Sequence, residues 1–261
     1  MRALDIAATG MAAQATRVAI ISNNISNMST TGYNARRAEF ADLHYQQVRQ
    51  PGSVTSLTGT QMPTGIQLGL GVRMSAVNMR VEQGSLIATG GDLDVAIEGK
   101  GWFPILLPDG QTAYTRDGAF KRDPEGLIVN SEGYQVGDGI TIPNNARRVQ
   151  VTAQGDVYVS FQGVAEPAQV GTIDLTTFIN AKGLEAIGGN LFLQSTASGE
   201  PTIGTPGEEG VGTLRQGYLE ASSVDVVEQI TDLIEAQRGY EMNSKVISAA
   251  DQMLSATVQL R

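Results

Sequence analysis

The chain has 261 residues, 41% of them hydrophobic, a formal charge of −9 and no cysteine. That length allows two domains with a real core, the acidity argues against nucleic acid, which needs clustered Lys and Arg, and the missing cysteine excludes disulfides, thiolate metal sites and Cys nucleophiles. No apolar run approaches the roughly eighteen residues of a transmembrane helix. Gln14, Thr16 and Arg17 break the N-terminal apolar stretch, so it does not read as a cleaved signal peptide, and any export is expected to use an uncleaved route.

The pattern predicts an N-terminal helix over 1–30. From Leu4, alternating steps of four and three meet Ala8, Met11, Ala15, Val18, Ser22 and Ile25, while Arg2, Asp5, Gln14 and Arg17 lie off that stripe. This 3.5-residue repeat marks a helix that packs along other helices. It runs into Ser22-Asn23-Asn24-Ile25-Ser26-Asn27, then Thr30-Thr31-Gly32-Tyr33. Asn, Ser and Thr side chains compete for backbone hydrogen bonds and end helices, and Gly32 is free to take a positive φ.

Residues 31–74 then carry the motif turn and a stretch, Gln46 to Gly71, poor in charge and rich in Gly, Ser, Thr and Pro. A flexible linker would have that composition. Its scattered apolar residues, Val54, Leu57, Met62 and Ile66, favour an extended arm that becomes ordered on assembly. The lone histidine, His44, has no Ser, Cys or second His motif to work with. Gly69-Leu70-Gly71 lacks the third glycine of a dinucleotide fingerprint.

Residues 75–221 read as a β-rich domain. Short strand-like runs such as Asp94-Val95-Ala96-Ile97-Glu98 and Trp102 to Leu107 are separated by turn dipeptides, Asp109-Gly110 and Asp117-Gly118 among them, a rhythm that suggests a sandwich or barrel. Asp117, Asp123 and Glu125 invite a calcium reading. Their spacing misses the EF-hand pattern and basic residues interleave, so turn chemistry is the better account.

The last element, 222–261, has no proline and one glycine, Gly239. A stripe of fours and threes meets Val226, Ile230, Leu233, Gln237, Tyr240, Ser244, Ile247, Asp251, Leu254 and Val258. A second row, Met242, Val246, Ala249, Met253, Ala256 and Leu260, keeps the same spacing. At 1.5 Å per residue this helix is roughly 55 Å long. Two amphipathic helices closing one globular domain would show such stripes. The length of the second favours apolar surface left over for other copies of the chain.

The order Asn23-Asn24-Ile25-Ser26-Asn27 followed by Thr31-Gly32-Tyr33 resembles the N-terminal motif of the flagellar rod, hook and hook-filament junction proteins. Ser223 to Glu228, and Gln237-Arg238-Gly239-Tyr240 with Asn243, resemble the family's C-terminal motif. The likeness spans the chain, and Gln67 to Arg73 after Gln50-Pro51-Gly52 is most similar to the distal-rod branch. It departs from the family at Gly239, where alanine is common. The resemblance implies an α+β fold in which paired terminal helices form a coiled-coil-like assembly domain beside a β-rich centre and an extended arm. It also implies a structural role, a helical homopolymer, no cofactor and export through the flagellar type III apparatus. The implied neighbours are proximal rod proteins, the hook protein and the P and L rings. A proximal rod or other axial protein of the same family is one alternative; from a different class, a carbohydrate-binding or glycan-acting β module is another, which would need paired carboxylates from among Asp92, Asp94, Asp117 and Asp123.

Overall fold

In the computed structural model, residues 2–52, 64–162, 166–208 and 210–259 are described, with side chains as far as 256. They belong to two compact units. The first gathers Met1–Ile25, Arg36–Asn78 and Asp225–Arg261, and the second Ser26–Ala35 and Met79–Val224. The fold is α+β, with the terminal helices packed together and the β-rich part between them in sequence.

Helices α1 (Arg2–Ser26) and α2 (Val226–Gln259) dominate the first unit. Alanine-rich α1 has high intrinsic helix propensity, and Asp5 in its first turn suits the helix dipole. α2 starts where Asp225 caps it. The Asp225 Oδ1 accepts from the backbone N–H of Val227 at 2.9 Å and of Glu228 at 3.2 Å, which satisfies two donors that the first turn leaves open.

Three strands lie in the segment expected to hold the motif turn and arm, and a fourth, Val72–Met79, runs from it into the segment expected as the β-rich domain. Arg36–Asp42 pairs with Val72–Met79, and Tyr45–Arg49 pairs antiparallel with Ile66–Gly69. The second pair is exposed almost throughout, and an isolated two-stranded ribbon of this kind is only marginally stable in water. Of the arm's apolar residues, Ile66 opens a strand and is exposed. Val54, Leu57 and Met62 lie outside the described residues.

The second unit is built on a seven-stranded antiparallel sheet, in spatial order Glu185–Gly188, Leu191–Leu193, Thr112–Thr115, Phe103–Leu106, Gln135–Val136, Ile128–Val129 and Lys121–Arg122. A three-stranded sheet, Ala146–Val151, Asp156–Phe161 and Ala168–Thr172, shares its core. Alternation decides which side chains enter. Val157 and Val159 point inward from one strand, as Phe103 and Ile105 do from another. Phe103 and Phe120 meet edge to face at 5.0 Å, and Trp102 and Phe192 do so at 5.1 Å in a second cluster.

Candidate assembly surface

The two helices meet in an antiparallel seam. Asn24 faces Gln229, Gln14 faces Gly239 and Gly10 faces Asn243, and in each pair the residue numbers add to the same constant. Small residues permit the approach. A Cβ on Gly239 would lie 3.2 Å from Gln14 Cδ, and one on Gly10 would lie 2.8 Å from Asn243 Nδ2. Gly239 therefore costs about 1 kcal/mol of helix propensity against alanine, but it lets Gln14 pack across it. Ala7 and Ile21 of α1 and Gln229, Ala236 and Ala250 of α2 are buried. Arg17 Nη2 reaches Asp232 Oδ1 at 2.7 Å and Glu235 Oε2 at 3.4 Å on the rim, where such pairs contribute little.

The end of the seam is held by Asn24, which is 1% exposed. Its Oδ1 accepts from Arg36 N–H at 2.9 Å, and its Nδ2 donates to Arg36 C=O at 2.8 Å and to Gln229 Oε1 at 2.9 Å. The side-chain amide thus acts as a peptide partner for the incoming strand and links it to α2. Asn24→Ala leaves the Arg36 peptide and Gln229 short of partners in a buried place. A loss of about 2–3 kcal/mol is expected, read as a lower denaturant midpoint by far-ultraviolet dichroism at 222 nm. An unchanged midpoint would sink this role.

The predicted stripe residues divide. On α1, Leu4, Met11, Val18 and Ile25 are half-buried, while Ala8 and Ala15 are exposed. On α2, Val226, Leu233, Ile247 and Leu254 are half-buried, while Ile230 and Tyr240 stand exposed, as do Gln237 and Arg238 of the C-terminal motif. Val258 lies within α2, beyond the described side chains.

Exposed apolar side chains of α2 form two patches. Val227, Ile230 and Ile234 each follow a seam residue by one position; Met242, Val246 and Met253 each precede one. One residue is about 100° of rotation on an α-helix, so the patches lie on opposite flanks of the seam. Large apolar side chains on both flanks of one helix are more than a solvated surface requires.

In the second unit the motif residues Thr31, Gly32 and Tyr33 hold a turn in place. Thr31 Oγ1 donates to Asp117 Oδ1 at 2.7 Å, its C=O accepts from Asn190 Nδ2 at 2.7 Å, and Tyr33 C=O accepts from Ser223 N–H at 2.9 Å. Asn27 accepts from Thr30 through both its C=O and its Oδ1, and Asn23 is exposed on α1. Gly32 has φ +62°, and a Cβ there would lie 2.7 Å from the backbone carbonyl carbon of Arg116. Gly32→Ala combines a left-handed residue with a collision against main chain, and is expected to cost about 2–4 kcal/mol. Its unfolding midpoint, followed through Trp102 fluorescence, checks this; a midpoint equal to wild type would contradict it.

Beside that turn lies a buried ion pair. Arg116 Nη2 and Nε reach Glu220 Oε2 at 2.7 and 2.9 Å, with side chains 8% and 4% exposed. Arg116 Nη1 donates to the C=O groups of Gly99 and Gly101, both at 2.9 Å, and Glu220 Oε1 accepts from Gly84 N–H at 3.0 Å.

The acidic turn residues are occupied by local structure. Asp117 Oδ1 accepts from Ala119 N–H as well as from Thr31, and Asp123 Oδ1 accepts from Leu127 N–H at 2.7 Å. His44 is exposed. Among the described residues, no three of His, Cys, Asp and Glu gather as metal ligands would.

Comparison with known proteins covers these same segments. Residues 4–34 match the model for flagella basal body rod proteins, 96–159 the flagellar hook protein FlgE/F/G D1 domain, and 215–260 the C-terminal region of flagellar basal body rod FlgEFG proteins. The chain is similar to the flagellar basal-body rod protein FlgG of Caulobacter vibrioides, 54% identical over 261 residues and 100% of each chain. It is 49% identical to that of Agrobacterium fabrum over 98% of this chain and 97% of the other, and 36% identical to that of Bacillus subtilis over 100% and 99%. Seam and motif turn thus fall in matched segments, as does much of the β core, the relatives span the whole chain, and the chain belongs to the FlgG family of flagellar basal-body rod proteins.

Proposed function

We propose that this structural, non-enzymatic rod protein forms the distal rod. Subunits add to one another into a stiff helical tube that carries motor torque across the periplasm to the hook. The observation that carries this reading is the pair of apolar patches on opposite flanks of α2. A subunit that offers two different sticky surfaces joins head to tail, and such contacts grow into a helical tube when the rotation does not close. Burial of each patch supplies on the order of 25 cal/mol per Å².

As a member of its family the protein assembles with other rod and hook components. The finer partners we propose are other copies of itself, the proximal rod proteins below, the hook protein above, and the P and L rings around it. The type III export apparatus would deliver the chain. The exposed ribbon Tyr45–Arg49 with Ile66–Gly69 supports the idea of an arm completed by a neighbour, because it buries too little of itself.

Electron microscopy of the concentrated full chain, beside a version lacking residues 1–30 and 222–261, tests the reading. Straight tubes from the full chain alone are expected. Tubes from the truncated version, or none from either across salt and concentration, would count against helix-driven assembly.

A further inference from the structure

The second apolar patch of α2 contains two methionines, Met242 and Met253, which are 64% and 65% exposed. Each precedes a seam residue by one position, so both thioethers stand on the same flank with exposed Val246 between them. Met79, by contrast, is packed beside Trp102 in the second unit, and Met11 is half-buried in α1. Met28 and Met74 are also exposed, and neither is part of α2.

We propose that Met242 and Met253 are an oxidation site that controls assembly: peroxide modifies them in the free subunit, and the modified flank no longer accepts a neighbour. This rests on the reading of that flank as an assembly face. In the reaction, a sulfur lone pair attacks one peroxide oxygen, the O–O bond breaks, and an S–O bond forms. Water leaves after proton transfer. Sulfur loses two electrons and the peroxide gains them. The product is a methionine sulfoxide, polar where the thioether was apolar and adaptable. A sulfoxide in a dry interface must give up its hydration with no partner provided, so burial of the flank becomes unfavourable. Reaction needs access, and so the same sulfurs become protected once a neighbour covers them.

The test uses the full chain treated with hydrogen peroxide and quenched, with oxidation at each methionine read by peptide mass spectrometry and polymer yield read by sedimentation. Oxidation before assembly is expected to lower the yield roughly tenfold, and assembled polymer is expected to oxidise at Met242 and Met253 roughly tenfold more slowly than free subunit. The double variant Met242→Leu, Met253→Leu keeps the apolar flank without sulfur. It should polymerise, and keep its yield after peroxide even with Met28 and Met74 oxidised. Equal yield from subunits carrying both sulfoxides would overturn the proposal, as would an equal loss in the leucine variant. Failure of untreated protein to polymerise would instead sink the assembly reading itself, and the oxidation switch with it.

Discussion

A chain carrying Val227→Asp and Ile230→Asp, and another carrying Met242→Asp and Val246→Asp, should each remain monomeric at concentrations where the wild type polymerises. An aspartate in either patch must be desolvated when a neighbour covers it, at an expected cost of several kcal/mol or more, in place of the favourable burial of the apolar side chain it replaces. The helices themselves should survive, because all four positions are exposed and off the seam. The sharper expectation concerns mixtures. In an equimolar mixture, the intact second patch of the first variant meets the intact first patch of the second. Heterodimers should therefore form and go no further. Either variant added at about one part in ten to wild type should shorten the polymers, since it joins by one flank and blocks by the other. Sedimentation velocity separates these outcomes. Polymers of normal length from either variant alone would remove that flank from the interface.

Arg116→Met should lower the stability of the second unit by about 3–5 kcal/mol, because Glu220 would keep a buried charge with its main partner gone. The only tryptophan, Trp102, lies in this unit, so fluorescence in a denaturant titration reports on it. The double variant Arg116→Met, Glu220→Leu should recover most of the loss. It removes both charges together and leaves only the backbone groups of Gly84, Gly99 and Gly101 to be re-satisfied. A double variant as unstable as the single one would show that the pair matters through packing and not through charge.

Periodicity made both helices legible, and turn dipeptides made the β-rich centre legible, since each is a local property. The seam was less so. Steps of four then three, and of three then four, share every second rung of α2: Val226, Leu233, Tyr240, Ile247 and Leu254. They differ at the rungs between. Apolarity prefers Ile230 over Gln229, yet Gln229 is the buried one, because its amide meets Asn24 from 205 residues away. Likewise Ala236, Asn243 and Ala250 occupy the seam side in place of Gln237, Ser244 and Asp251. Their small size or their partner in α1 decides this, and neither shows in a hydrophobic repeat. The same holds on α1 for Ala7, Gly10, Gln14 and Ile21. The motif order did mark Asn24 and Gly32, although the hydrogen bonds and the close approach that give them their roles appear only in three dimensions. Nothing local announced Arg116 and Glu220, which are 104 residues apart in the chain.

The helix seam joins residues as far apart as Arg17 and Asp232, a separation of 215 positions. Contacts of such high order form late, because the loop between them must be closed before they return any free energy. At a synthesis rate of about 5–20 residues per second, α1 waits roughly 10–40 s for its partner to be made. Most strand pairings of the second unit, by contrast, link near neighbours in sequence. The β unit can therefore mature while α1 still has an open stripe, and the first helix passes through a period in which its natural companion does not yet exist.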